Sequence, residues 1–268
     1  VSVALIEGAR VYVINLDQSK DRLEAMEAGF GAVGVSFQRV PGVYGPHAVL
    51  PPLVRASEHL SAGEIGCLLS HRRCYEEILA ASEPWGIIFE DDVLIQKEGW
   101  SALQRAFALK PSNCELLKFQ GQVLNPKKIP LKYDLCAINS EHWIQFRVQN
   151  PQCAAGYAIH KSACKKILAQ LELLEPADLI LEHAWKYSVR AYNVEPQLFG
   201  WSKFHESSVI QILGRVERGV GIAWKRRDRV WMAWLKKVLY SLRVIGVWGS
   251  VRLFARYAKA GLERVVIS

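Results

Sequence analysis

The sequence predicts an α/β domain built on a mainly parallel central sheet, followed by a basic helical extension. Three observations lead to that class. Short apolar runs alternate with helix-type segments through most of the chain. One of these runs, Trp85 to Phe89, is apolar throughout, as suits a strand buried on both faces. The charge is also lopsided. The net charge is +8, yet the last 55 residues, from Gly214, hold 13 Lys/Arg and 3 Asp/Glu, and the part before them is slightly acidic. We therefore divide the chain into a domain over 1–213 and a tail over 214–268.

The elements follow in order. Val11 to Leu16 is a short apolar run of strand type. Asp17 to Arg22 leads into Leu23 to Ala28, which is helix-prone and ends at Gly29. Such a strand–loop–helix opening suits a nucleotide-binding α/β domain. Val35 to Val40 reads as a second strand, and Pro41 to Pro52 as a Gly- and Pro-rich loop. Ser61 to Glu64 forms a capping box, so a helix should begin there and run to about Ser82 before Pro84. Trp85 to Phe89 ends abruptly in Glu90-Asp91-Asp92, and Val93 to Ile95 resumes the strand. Further strands are expected at Leu116 to Phe119, Ala154 to His160 and Gln197 to Trp201. A helix is expected over Ser162 to Leu174.

The composition excludes several classes. Apolar residues make up 50% and charged residues 22%, which rules out a disordered or fibrous chain. No uncharged apolar run approaches the roughly 20 residues of a spanning helix, and the sequence opens without a secretory pattern. The six cysteines include no CxxC pair, so they read as reduced thiols of a cytosolic protein, and a zinc site is not expected.

The tail reads as two amphipathic helices. Trp224, Trp231, Leu235, Val238 and Leu242 share one face of the first, with Lys225, Arg226, Arg229, Lys236, Lys237 and Arg243 around the rest. Trp248, Val251, Ala255, Ala258 and Leu262 share a face of the second, while Arg252, Arg256 and Lys259 share another. An apolar-aromatic face beside a basic one suits an anionic membrane surface. Packing of the Trp face on the main domain is the alternative. A nucleic-acid partner is not expected, because aromatic and basic residues occupy separate faces.

The acidic cluster Glu90-Asp91-Asp92 carries the chemistry. In extended geometry Glu90 and Asp92 point one way and Asp91 the other. Adjacent carboxylates repel, which raises at least one pKa unless a cation neutralises them. Their hard oxygens suit Mg²⁺ or Mn²⁺ bound together with substrate phosphates. The carboxyl end of a sheet strand is also where α/β domains bind ligands.

Trp85-Gly-Ile-Ile-Phe-Glu-Asp-Asp-Val93, preceded by Leu60-Ser-Ala-Gly-Glu-Ile-Gly-Cys-Leu-Leu-Ser-His71, resembles glycosyltransferase family 25. Val13-Ile-Asn-Leu16 with Asp21-Arg22, Gly156-Tyr157 before Ser162 to Leu168, and Pro176-Ala-Asp178 fit the same pattern. The resemblance spans about Val11 to Ser208. A Thr common two residues before the Gly-Tyr pair is Ala154 here. The resemblance implies a GT-A type, Rossmann-like fold and an inverting transfer of galactose from UDP-galactose. The acceptor would be a lipooligosaccharide or lipopolysaccharide saccharide on a lipid carrier, and the product β-linked. The protein would sit peripherally on the inner, cytoplasmic face of the cell membrane.

On that resemblance Glu90 and Asp92 hold a divalent ion, Mn²⁺ ahead of Mg²⁺. His205 is a third ligand by analogy with other GT-A enzymes. Asp178 is the first candidate for the base that takes the acceptor proton, with Glu182 and Glu175 in reserve. Asn15, Arg22, Asp91 and Lys118 are candidate donor contacts. Gly156 would let the backbone approach the donor, with Tyr157 stacking on it. Ser70 and His71 are candidates for the donor or acceptor site. Rival readings are transfer of glucose or another hexose, a metal-dependent nucleotidyl or phosphoryl transfer, and a non-catalytic membrane-binding protein.

Overall fold

The computed structural model describes residues 6–121, 132–148, 150–205 and 230–267, with side chains of the last segment described over 235–255. In chain order the elements are β1 (Ala9–Asn15), α1 (Lys20–Ala32), β2 (Gln38–Pro41), β3 (Arg55–Ala56), α2 (Ala62–Ala80), β4 (Trp85–Glu90), β5 (Val93–Leu94) and α3 (Lys97–Leu109). Then come β6 (Leu116–Lys118), β7 (Lys132–Ala137), β8 (Trp143–Arg147), β9 (Gly156–His160), α4 (Lys161–Leu168), β10 (Glu172–Leu173) and α5 (Ala177–Glu182). The series ends with β11 (Ala191–Glu195), β12 (Gly200–Trp201) and α6 (Val230–Ile267).

The main sheet has eight strands in the order β2-β1-β4-β9-β6-β11-β8-β7. The pairings β1–β2, β1–β4 and β6–β11 are parallel. β9 runs antiparallel between β4 and β6, and β8 antiparallel between β11 and β7. All strands except β8 and β9 therefore share one direction, and the sheet is mainly parallel as expected.

Alternation along the strands builds two cores. Val11, Val13, Ile87 and Phe89 face one side, in one core with Met26 and Phe30 of α1 and Trp100 and Leu103 of α3, which Tyr240 and Val244 of α6 extend beside Phe146 of β8 and Tyr192 of β11. Tyr12, Ile88, Tyr157 and Ile159 face the other, under Leu68 and Tyr75 of α2, Cys164 of α4 and Leu181 of α5. Ile87, Ile88 and Phe89 are all fully buried, which explains the unbroken apolar run. The capping box stands: Ser61 Oγ accepts from Glu64 N at 3.2 Å and Glu64 Oε2 accepts from Ser61 N at 3.0 Å.

Several expectations need correction. The helix expected over Ser162 to Leu174 stops at Leu168, because Leu171 O and Leu173 O accept from Arg55 N and Ser57 N in the β3–β10 pair. The strand expected over Gln197 to Trp201 shrinks to Gly200–Trp201, which pairs with Val93–Leu94 away from the main sheet. α3, the β7–β8 pair and β11 were not foreseen.

The two expected tail helices correspond to halves of α6 that meet at Gly246 (φ 72°, ψ 179°), a conformation few residues other than glycine adopt. Tyr240, Val244 and Leu253 pack into the core of the domain, whereas Leu239, Val247 and Trp248 are 55%, 63% and 79% exposed. The inward side is thus formed by Tyr240 and Val244, which belong to neither expected apolar face, whereas Leu235 and Leu242 of the first expected face and Trp248 and Val251 of the second are exposed. Leu235–Ala255 is also long and apolar enough to cross a membrane by length and composition. A search for uncharged runs passes over it, because Lys236, Lys237, Arg243 and Arg252 interrupt it. Side chains of Trp224, Trp231, Trp234, Lys225, Arg226, Arg229, Arg256, Ala258, Lys259 and Leu262, like the boundary at 213/214, lie outside the described residues.

Candidate functional site

The carboxyl ends of β1 and β4 lie side by side, with Ile14 opposite Glu90. A cleft open to solvent forms there. Asn15, Arg22, Ser70, His71, Glu90, Asp91 and Asp92 all line it, so seven of the expected residues meet in one place. One wall is built by backbone contact between the loop after β2 and α2. A Cβ on Gly45 would fall 1.8 Å from Ala62 O, and one on Gly66 2.5 Å from Val43 O. Ser70 pins that loop, accepting from Val43 N at 2.8 Å and donating to Gly66 O at 2.7 Å.

The three carboxylates diverge instead of alternating, because β4 ends at Glu90 and the chain turns. Glu90 reaches α2, where Oε1 lies 3.0 Å from His71 Nε2 and 3.8 Å from Cys67 Sγ. Asp91 turns to α1. Its Oδ2 accepts from Asn15 Nδ2 at 2.7 Å and its Oδ1 from Arg22 at 3.0 Å. Arg22 is held in turn by Phe204 O at 3.0 Å. Burial still lifts the Asp91 carboxyl above its ordinary value, against the pull of Asn15 and Arg22.

Asp92 turns to the segment after β12. The β5–β12 pair carries His205, which does not line the cleft, back to Asp92, and its Nδ1 lies 2.8 Å from Asp92 Oδ2. The His205 ring stacks on Trp201 with centroids 3.8 Å apart. Asp92 Oδ1 is buried with no hydrogen-bond partner. Burial first, and the charge on Glu90 second, push the Asp92 carboxyl up to about 6. A buried anionic oxygen without a donor, with an imidazole on its partner oxygen, suits a divalent cation, although the ligand atoms of Asp92, His205 and Glu90 do not gather within 4.8 Å of one another.

The remaining expected residues lie elsewhere. Lys118 is 1% exposed and does not line the cleft, its Nζ donating to Pro151 O and to Cys153 O at 2.7 Å. It therefore straps the loop before β9 rather than meeting phosphate, and burial lowers its ammonium to about 8. Tyr157 does not stack on a donor either. It is fully buried, with its hydroxyl 2.6 Å from His71 Nδ1 and 2.9 Å from Tyr75 OH. Gly156 serves packing, since a Cβ there would meet Gln120 and Phe119 at 2.8 Å.

Asp178 stands in the first turn of α5, outside the residues that line the cleft. Its Oδ2 accepts from Gln152 Nε2 at 2.7 Å, and its charge helps raise the Cys67 thiol pKa. Glu182 closes the same helix and also lies outside the lining, its carbonyl accepting from Asn150 N at 3.1 Å. Glu175 is buried and committed to His183 and Lys186. Sequence reasoning missed Cys67, which lines the cleft. Its position four residues before His71 on one helix face was the available signal.

Comparison with known proteins now bears on this geometry. The model of glycosyltransferase family 25, described as an LPS biosynthesis protein, matches residues 9–181. The chain is 27% identical to the lacto-N-neotetraose biosynthesis glycosyltransferase LgtE of Neisseria meningitidis serogroup B, over 70% of this chain and 72% of that one. It is 26% identical to LgtB of the same organism, over 81% and 86%. It is also 24% identical to the human inactive glycosyltransferase 25 family member 3, over 70% of this chain and 36% of that one. The matched span holds β1, the capped helix α2, the Glu90-Asp91-Asp92 turn and Asp178, and on that ground the chain belongs to glycosyltransferase family 25.

Proposed function

We propose that this protein transfers galactose from UDP-galactose to a lipid-linked saccharide of the lipooligosaccharide or lipopolysaccharide type, with inversion to a β linkage. The observation that carries this reading is the buried, unpartnered Asp92 Oδ1, at a strand-end cleft shared with Glu90 and Asp91. Glu90, Asp92 and His205 would hold a divalent cation. Mn²⁺ is preferred to Mg²⁺, because a ring nitrogen departs from the oxygen ligands that Mg²⁺ takes. When bound, such an ion neutralises charge on the departing nucleoside diphosphate.

The chain's own groups do the rest. Asn15 and Arg22 occupy both oxygens of Asp91 and fix that carboxylate at the cleft wall, where a sugar or ribose hydroxyl can donate to it. Asp178, oriented by Gln152, takes the proton from the acceptor hydroxyl as the new bond forms. The exposed Leu239, Val247 and Trp248 among basic neighbours support docking of α6 on an anionic membrane at its cytoplasmic face.

The test is UDP release from a panel of UDP-sugars with a saccharide acceptor, with and without Mn²⁺. Release that favours UDP-galactose and needs both acceptor and cation is expected. Preference for another hexose would move the donor assignment. Pyrophosphate release from a nucleoside triphosphate, or no turnover with any donor, would overturn the reading.

A further inference from the structure

Among the described residues, one set of three metal-ligating side chains has its ligand atoms within 4.8 Å of one another: Cys67, His71 and Glu90. The set differs from the all-oxygen turn that follows β4 in containing a sulfur and a ring nitrogen. Cys67 and His71 lie four residues apart on α2, so both face the cleft from the same side of the helix. Glu90 meets them from the end of β4. From its Oε1 the distances are 3.0 Å to His71 Nε2 and 3.8 Å to Cys67 Sγ. A tetrahedral ion with bonds of ~2.0–2.3 Å places its ligand atoms about 3.3–3.7 Å apart. Shifts of well under the width of an atom would close the triad around such an ion.

A second observation points the same way. The far side of the His71 ring is already engaged. Nδ1 lies 2.6 Å from Tyr157 OH, which lies 2.9 Å from Tyr75 OH, and all three side chains are buried. With Nδ1–H donated to Tyr157, Nε2 keeps its lone pair and is aimed at Glu90 and Cys67. A metal-binding histidine is oriented in this way, by a partner on its other nitrogen.

We propose that Cys67, His71 and Glu90 form a binding site for a thiophilic divalent ion of the Zn²⁺ type, with a fourth position open to the cleft. The lack of a CxxC pair argued against zinc from sequence, but folding brings the third ligand from β4. Binding exchanges the thiol proton of Cys67 for the metal, with the proton leaving to solvent, so affinity rises with pH. The site draws on Glu90, which the proposed function assigns to the donor cation. On that reading, filling the thiophilic site withdraws Glu90 and inhibits transfer.

The test uses the full chain with a non-thiol reductant and Co²⁺ as the optical probe. One equivalent of Co²⁺ should give a near-ultraviolet thiolate charge-transfer band that added Zn²⁺ abolishes. Cys67→Ser should lose the band, and Cys136→Ser should keep it. Tyr157→Phe should keep the band but weaken affinity about ten-fold, as for loss of a partner that orients a ligand. Circular dichroism checks that each variant is folded. Absence of the band, or its survival in folded Cys67→Ser, would overturn the site. In activity assays Zn²⁺ should inhibit the natural chain, and the half-inhibiting concentration should rise at least about ten-fold in Cys67→Ser, each protein measured against its own rate. A thiolate band without inhibition would refute the sharing of Glu90 while leaving the ion site in place. No turnover in any variant, with the band intact, would count against the proposed function alone.

Discussion

Arg22 and Asp91 form an ion pair of 3.0 Å in which each side chain is little more than a tenth exposed. The pair joins the first turn of α1 to the turn after β4, across 69 positions of sequence. It is the structural reason why Asp91 turns to α1, while Glu90 turns to α2 and Asp92 to His205.

Replacing Arg22 therefore strands a shielded carboxylate. We expect Arg22→Ala to destabilise the fold by about 3 kcal/mol in urea titrations, the range for breaking a buried pair on one side. Asp91→Asn/Arg22→Ala should recover part of that loss. If the single variant unfolds at the natural midpoint, the pair is ornamental.

Asp92 is expected to behave in the opposite sense. Its Oδ1 is buried with no donor, so the charge destabilises the cation-free fold. Asp92→Asn should leave the cation-free midpoint unchanged or raise it, by up to about 1 kcal/mol, while lowering transfer by about 100-fold or more. Unchanged turnover would remove Asp92 from the chemistry.

Lys118 gives the fold a pH dependence in the alkaline range. Its ammonium titrates near 8 in the folded chain, against 10.5 for an ordinary lysine, because it is buried. Between those values the unfolded chain binds more protons, so stability rises with pH. Below about pH 8 the full cost of burying the charge is present. The gain across the window is on the order of 2–3 kcal/mol. Lys118→Met should flatten this slope in denaturation measured from pH 7 to 10. A parallel slope in both proteins would refute the assignment.

Two faces of α6 can be separated by mutation. The Tyr240 hydroxyl donates to Val189 O at 2.8 Å and accepts from Ala191 N at 3.0 Å, so it ties the tail to the start of β11. Tyr240→Phe should cost about 1–3 kcal/mol, since it leaves two buried backbone groups unpaired. Leu239→Ala with Trp248→Ala removes exposed apolar surface and should leave the melting temperature unchanged. Binding to vesicles with anionic lipid should fall by at least about ten-fold. Equal vesicle binding by the double variant would end the membrane reading.

Much of this architecture was legible in the chain. Ser61 with Glu64 marked the start of α2, and the run from Trp85 to Phe89 marked the central strand with its acidic end. Local chemistry sets both features. What escaped notice depends on distant partners. Glu172–Leu173 became a strand because Arg55–Ala56 lay beside it, and no propensity in a two-residue segment reports that. β11 reads as AYNVE, with a fully buried Asn193 that breaks the apolar pattern. Tyr157 was assigned to the donor as a stacking ring of the Gly-Tyr pair, and Lys118 as a cation at the end of a short apolar run. Both instead found other partners, in a hydroxyl chain and in two carbonyls. Cys67 was passed over because its third companion arrives from another element.

The short β5–β12 ribbon has one further consequence. It returns Phe204 and His205 to Arg22 and Asp92 from beyond residue 181, where the family match ends. If the acidic turn binds the proposed ion, drift in that late segment would alter its grip while every residue of the shared motif is left untouched. On the proposed function, homologues with identical motifs would then differ in their appetite for metal, with the cause downstream of the signature.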